Sequence, residues 1–328
     1  MDGIETLREL RRLVPSLPVV MMTAYADVPT AVAAMKAGAA DYVTKPFDPD
    51  ELTAIVRQAV ERAAVPSEAA WGAAAAAPWG FEDFAGPSPA MTRVLELARA
   101  AAETDAAVLL RGERGLGKEC LARAIYGASR RRPGPFVPVH CGGLSESVLE
   151  AELFGYEAGT LPASPHAKKG RLELADRGFL YLDEIQTLSQ KLQSALLHAI
   201  EDRAVVRLGG EKRQPVDVRP VAASSEDIEA MVRQGSFLVE LFGAISVVVI
   251  DVPPLRARRE DIAPLLGRVL LRVRRDLDKK VDAFSPETVA ILTRQDWPGN
   301  VRQLARTVER AVVACPGTII LPEHLPIG

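Results

Sequence analysis

The feature that most constrains this chain is a change of texture on either side of residue 112. Val108-Leu109-Leu110 is a short apolar run of the kind that forms a buried strand. It passes directly into Gly112-Glu113-Arg114-Gly115-Leu116-Gly117-Lys118, after which Leu121, Ile125 and Ala128 fall at helical spacing. A G-x-x-x-x-G-K loop set between strand and helix is the arrangement that cradles phosphates. Glycines let backbone N–H groups converge on phosphate oxygens, and the helix N-terminus adds partial positive charge. Lys118 supplies a point charge for the outer phosphates. The general pattern places Ser or Thr next to ligate magnesium, and here Glu119 stands there.

A second element fits the first. Phe179-Leu180-Tyr181-Leu182 is another buried-strand run, and it ends in Asp183-Glu184. Two carboxylates at the tip of an apolar strand are costly unless a cation compensates them. Mg2+ bridging the phosphates of ATP would do so, with Asp183 toward the metal and Glu184 positioning or activating water. The plainer alternative is that both acids cap the following helix. The phosphate loop upstream favours the first reading.

Composition narrows the class. Of the 328 residues 48% are hydrophobic and 25% charged, as in chains that bury sizeable cores, and the length suits two or three domains. The net charge of −3 gives no basic footprint for nucleic acid. Cys120, Cys141 and Cys315 lack metal spacing and read as buried free thiols of a reducing compartment. The four histidines, His140, His166, His198 and His324, likewise lack a metal partner at useful spacing. No run is apolar enough to span a membrane, and the N-terminus lacks signal-peptide character, so a cytoplasmic location is expected.

Three textures follow one another. Residues 1–62 read as β-α-β-α, with strands at Val19–Met22 and Asp41–Thr44 and a last helix capped by Asp48. Residues 63–83, with the alanine run Ala73 to Ala77, read as a linker in which Trp71 and Trp79 could dock on a neighbour. Residues 84–257 are α/β again. Residues 258–328 carry amphipathic helical runs at Asp261–Arg275, Pro286–Thr293 and Val301–Val313.

From Phe84 onward, about three quarters of the chain, the sequence resembles the central AAA+ domain of bacterial sigma-54-dependent enhancer-binding regulators. The loop Gly112 to Glu119 resembles that family's G-E-S-G-T-G-K-E, in which Glu119 is the usual residue. Gly86 to Met91, Glu152-Leu153-Phe154-Gly155, Gly170-Arg171, Phe179 to Ile185 and Pro253-Pro254-Leu255-Arg256 also fit. Trp297-Pro298-Gly299-Asn300-Val301-Arg302 matches the lid motif whose arginine contacts nucleotide, and Ser225 stands at the family's polar sensor residue. The resemblance implies a parallel P-loop α/β sheet with a C-terminal helical lid, an ATP-Mg2+ site, assembly into a homo-oligomeric ring, and sigma-54 RNA polymerase as the family's partner.

Residues 1–62 resemble the later half of a flavodoxin-like response-regulator receiver. Thr23 matches its switch residue, and Lys45-Pro46-Phe47 carries its phosphate-contacting lysine. Met1-Asp2-Gly3 looks like the loop just after the phosphoacceptor aspartate. That alignment implies a partial receiver, from a fragment or a misassigned start. The family's DNA-reading helix-turn-helix would follow the lid, so no DNA-binding domain is expected within this chain.

Three departures bear on mechanism. The family's sigma-54-contacting loop, G-A-F-T-G-A, aligns with Gly159-Thr160-Leu161-Pro162-Ala163-Ser164, where Pro162 fixes φ and removes a donor. Its arginine fingers align with Leu238 and Ala244, with Arg233 nearby but outside the motif. Fingers are worth about 10³–10⁵ in rate, or roughly 4–7 kcal/mol of barrier. Ser225 offers one hydroxyl where the family has Asn. The expected function is an ATP-binding AAA+ module with impaired hydrolysis and impaired sigma-54 contact. A fully active ATPase that remodels sigma-54 RNA polymerase, and a non-catalytic subunit that modulates partner rings, are the alternatives.

Overall fold

The computed structural model describes residues 5–7, 10, 19–23, 39, 41–44, 80–84, 86–160 and 166–326. The chain divides into two compact units, Met1–Ala74 and Ala75–Gly328. In the first, strands β1 (Val20–Thr23) and β2 (Asp41–Thr44) pair in parallel with Thr23 opposite Thr44. Leu7 and Ala39 are buried there, with Val19 and Met21 against them. The parallel pairing expected of these two runs is present. The helix expected between these strands, the one expected from Asp48, the Lys45-Pro46-Phe47 segment, and Trp71 and Trp79 lie outside the described residues.

The second unit is organised by a five-stranded, wholly parallel sheet. Its strands in chain order are β3 (Val108–Arg111), β4 (Phe136–His140), β5 (Phe179–Asp183), β6 (Arg219–Ser224) and β7 (Val248–Asp251). In space they run β7-β3-β6-β5-β4. Parallel strands need long crossovers, and helices fill them on both faces, which is why these strands read as continuous apolar runs. The two-residue alternation of a strand sorts the side chains. Val108, Leu110, Phe179, Tyr181, Val221 and Ala223 enter one core with Met91, Val94 and Leu95 of α1 (Pro89–Ala102) and Leu121 and Ile125 of α2 (Lys118–Ala128).

Leu109, Leu180, Leu182 and Ala222 enter the opposite core. Leu149 and Leu153 of α3 (Glu146–Phe154), Leu192 and Leu196 of α4 (Gln190–Glu201), and Leu241 and Ile245 of α5 (Val239–Ile245) cover them. Each fully buried aliphatic side chain contributes on the order of 1.5–3 kcal/mol.

Packing against the body reaches back into the stretch that reads as linker. Phe81, in a 3-10 turn over Phe81–Asp83, is buried in the α1–α2 core with the Arg99 guanidinium 5.2 Å from its ring centroid. An aromatic ring after an alanine-rich stretch carries no periodic signal, so its docking escapes a pattern-based boundary.

The C-terminal part is helical as the amphipathic runs require: α6 (Ile262–Asp276), α7 (Pro286–Arg294) and α8 (Asn300–Ala314). Ser285 caps α7 by accepting from the Thr288 N–H, and Pro286 occupies its first turn. No helix among the described residues is long and apolar enough to cross a membrane. All three cysteines are buried and free, as their spacing suggests.

Candidate nucleotide site

The candidate residues gather where they do because parallel strands present all their C-terminal ends along one edge, the usual position of ligand sites in open α/β sheets. β3 delivers Gly112, β5 delivers Asp183 and Glu184, β6 delivers Ser225, and β4 delivers His140. The loop Gly112 to Gly117 closes between β3 and α2. Gly112, Gly115 and Gly117 have φ of 143°, 78° and 85°, which side chains with a Cβ rarely adopt. Gly117 is the N-cap of α2 and offers no side-chain cap, and the partial positive charge of a helix N-terminus set there suits an anion. Leu116 fills the core beneath the loop.

Lys118 is 2% exposed. Its ammonium donates to the carbonyls of Gly112 at 2.8 Å and Glu113 at 3.1 Å, which draws it across the mouth of the loop. Glu119 is also buried, but its carboxylate turns sideways along α2 and accepts from Arg123 Nε at 2.9 Å and Nη2 at 2.7 Å. The acid at the position of the common Ser or Thr is therefore neutralised within its own helix.

Asp183, 5% exposed, accepts from the Tyr181 hydroxyl at 3.2 Å and pairs with His140 Nδ1 at 2.9 Å. Burial pushes its carboxyl up; the hydrogen bond and charge of His140, together with Lys118 and Tyr181, outweigh that and hold it below its ordinary value. Asp183 is thus kept anionic, which a divalent cation requires of a ligand. Glu184 takes the left-handed conformation at φ 53°. Its Oε2 accepts from Ser225 Oγ at 2.7 Å, from Gln186 Nε2 at 2.8 Å and from Arg114 Nη2 at 2.9 Å. Ser225 consequently faces Glu184 across the β5–β6 gap.

The lid meets the phosphate loop directly. The Arg302 backbone N–H donates to the Gly115 carbonyl at 3.1 Å. A Cβ on Gly115 would lie 2.4 Å from the Gly299 carbonyl oxygen and 3.1 Å from Arg302 Cβ. Asn300 is fully buried at the start of α8, with φ 50°. It donates to Glu113 Oε2 at 3.0 Å and to the Arg114 carbonyl at 3.1 Å, and accepts from the Leu255 N–H at 3.0 Å. Glu113 is also ion-paired with Arg256, so loop, lid and the segment joining body to lid share one polar cluster.

The structure therefore brings Gly112 to Lys118, Asp183, Glu184, Ser225 and Arg302 to one edge, with Glu119 turned aside toward Arg123. Thr23 belongs to the first unit, and Lys45 lies outside the described residues. His140, Gln186 and Asn300 are participants that sequence reasoning passed over. Residue spacing hides His140 and Asn300 because their contacts cross strands or subdomains, and Gln186, two residues from Glu184, belongs to no motif; only the register placing His140 opposite Asp183 at adjacent strand ends could have exposed one of them.

The positions that the family resemblance aligns with arginine fingers are also described. Leu238 and Ala244 both pack against the core beneath α5. Arg233 is largely exposed, 3.9 Å from Asp227, as a surface arginine would be. Gly159 and Thr160 are described, with Thr160 Oγ1 donating to the Leu208 carbonyl at 3.2 Å, whereas Leu161 to Ser164 lie outside the described residues.

A parallel sheet whose phosphate loop and acidic strand end share one edge, closed by a helical lid, defines an ATP-binding module of the AAA+ class. Residues 84–251 match the sigma-54 interaction domain family, 256–327 the AAA+ ATPase lid domain and 1–57 the response regulator receiver domain. The transcriptional regulatory protein ZraR of Klebsiella oxytoca is 43% identical over 328 residues, spanning 100% of this chain and 73% of that protein. The regulatory protein AtoC of Escherichia coli is 42% identical over 327 residues, spanning 99% of this chain and 71% of that protein. The crystal structure of NtrX from Brucella abortus in complex with ADP superposes with a TM-score of 0.67 at 34% identity, spanning 99% of this chain and 71% of that one. A RuvB variant from Thermotoga maritima shares the fold at a TM-score of 0.50 and 18% identity. The chain belongs to the sigma-54-dependent response regulators, as the AAA+ module of a transcriptional regulator.

Proposed function

We propose that this chain binds ATP with Mg2+ at the Gly112–Lys118 loop and hydrolyses it slowly, with weakened contact to sigma-54. Support for binding comes from the loop geometry, the buried Lys118 and the anionic Asp183, and from the related NtrX, whose structure was solved in complex with ATP. Asp183 would hold Mg2+, a cation that is usually bound by one or two carboxylates, substrate phosphates and retained waters. The metal would neutralise charge on the phosphates. Lys118 would follow the outer phosphates, Glu184 would orient the attacking water, Ser225 would hold Glu184, and Arg302 would close over the nucleotide from the lid. Residues 1–62 form a partial receiver, 63–83 a linker, 84–257 the α/β body and 258–328 the lid in this reading. The assembly is a homo-oligomeric ring.

The observation that carries slow turnover is the apolar character of Leu238 and Ala244 at the finger positions, where both side chains pack against their own protomer's core. Neither can stabilise charge on a transferring phosphoryl group. The test is single-turnover hydrolysis beside a nucleotide-affinity titration, on the chain and on the double variant Leu238→Arg/Ala244→Arg. ATP should bind both with similar affinity, and the variant should hydrolyse it faster by about 10³-fold or more. A chain that already matches its arginine-bearing variant would sink the slow-turnover reading. Absence of ATP binding at millimolar nucleotide with magnesium would sink the whole proposal.

A further inference from the structure

Gln186, the third residue after the β5 strand, has no role in the function proposed above, yet its side chain is pinned inside the site. It is 5% exposed, and its Nε2 donates both to Glu184 Oε2 at 2.8 Å and to Ser225 Oγ at 3.2 Å. Its other end, Oε1, is buried with no hydrogen-bond partner. Buried amides normally satisfy both ends. Turning the amide over would set its oxygen against the Glu184 carboxylate and lose both donated bonds, so the carboxylate fixes the orientation at the expense of Oε1. The placement serves Glu184 rather than the glutamine.

The consequence falls on one oxygen. Ser225 Oγ, Gln186 Nε2 and two nitrogens of Arg114, Nη2 at 2.9 Å and Nε at 3.2 Å, all donate to Glu184 Oε2. A carboxylate oxygen has two lone pairs, so this one is saturated. Glu184 itself is 7% exposed. A residue that must turn toward a water and accept its proton is held on one side by an arm of the phosphate loop, by the sensor serine and by an amide from its own turn. Arg114, being largely exposed, can leave this cluster when phosphates compete for its guanidinium; Gln186, being buried, has no such alternative.

We propose that Gln186 is a positioning residue that clamps Glu184, together with Ser225, in an orientation that slows attack of water on ATP. The inference rests on the nucleotide-site reading above and adds a second brake, within the protomer, to the apolar finger positions. Gln186→Met keeps the volume and removes the donor. Single-turnover hydrolysis should then rise roughly tenfold, the rate equivalent of one hydrogen bond to a charged group, while ATP affinity stays unchanged. Ser225→Ala should act in the same direction and serves as the second variant should Gln186→Met fold poorly.

The control is Glu184→Gln, which removes the clamped carboxylate. In that background the gain from Gln186→Met should vanish. A packing role alone would lower thermal stability without a gain in rate and without dependence on Glu184. If Gln186→Met and Ser225→Ala both bind ATP but hydrolyse it no faster than the unmodified chain, or if the gain survives Glu184→Gln, the clamp is overturned while slow turnover stands. If the unmodified chain hydrolyses as fast as its arginine-bearing variant, slow turnover fails by itself, whatever Gln186→Met does.

Discussion

Asn300 shows how much of this site depends on single contacts. It adopts φ 50°, a conformation that Asn tolerates and Ala does not, and its whole amide is engaged by the phosphate loop and the connector. Asn300→Gly keeps the backbone and loses the bonds, which should destabilise the second unit by about 2–3 kcal/mol in urea unfolding. Asn300→Ala should lose about 1 kcal/mol more, because it adds strain to the same loss. Equal effects of the two would show that the conformation carries nothing. The neighbouring Glu113 gives the cluster a pH signature. The Arg256 guanidinium and then Asn300 hold its carboxyl down at about 2, against an ordinary 4.5. A depressed carboxyl stabilises the fold fully above the ordinary value and loses that contribution as pH falls from about 4.5 toward 2. Acid unfolding followed across this window should therefore be shallower in Arg256→Ala.

At the scale of elements, the joint between body and lid is built from a helix cap that reaches across sequence. Ser88 caps α1 by accepting from the Met91 N–H. Its own N–H and hydroxyl donate to the two oxygens of the buried Asp261 just ahead of α6, at 2.9 Å and 2.6 Å. Arg258, buried beside Asp261, lies 3.9 Å from the same carboxylate. Removing the acid strands a helix cap and a buried guanidinium together, so Asp261→Ala should cost about 3–5 kcal/mol in denaturant titration. A cost near that of an ordinary surface change would mean the joint is held elsewhere. The same elements show what sequence reading can reach. The loop Gly112 to Lys118, the Asp183-Glu184 strand end and the three lid helices are contiguous patterns, and each local period or spacing is complete within a dozen residues. The Ser88–Asp261 joint, the Glu184 clamp and the packing of Phe81 bring together residues from separate elements or follow a segment with no period, so nothing local marks them.

For the molecule as a whole, the division into two units bears on stability more than on chemistry. The nucleotide residues belong entirely to Ala75–Gly328, and the Thr23 strand pair to Met1–Ala74. A ligand that binds one folded unit stabilises that unit alone, by about 2.7 kcal/mol at a hundredfold excess over its dissociation constant. Scanning calorimetry should show two transitions, of which ATP with magnesium raises only one. A single transition that moves as a whole would mean the units unfold together. The close approach of Gly115 to Gly299 bears on how this molecule can change shape. The two backbones touch with no side chain between them, so the phosphate loop has no slack in which to move without displacing the first turn of α8. One methyl group added at Gly115 would act as a wedge, prising lid from cradle, and the spacing between the two could then be set by choosing how large a wedge to insert.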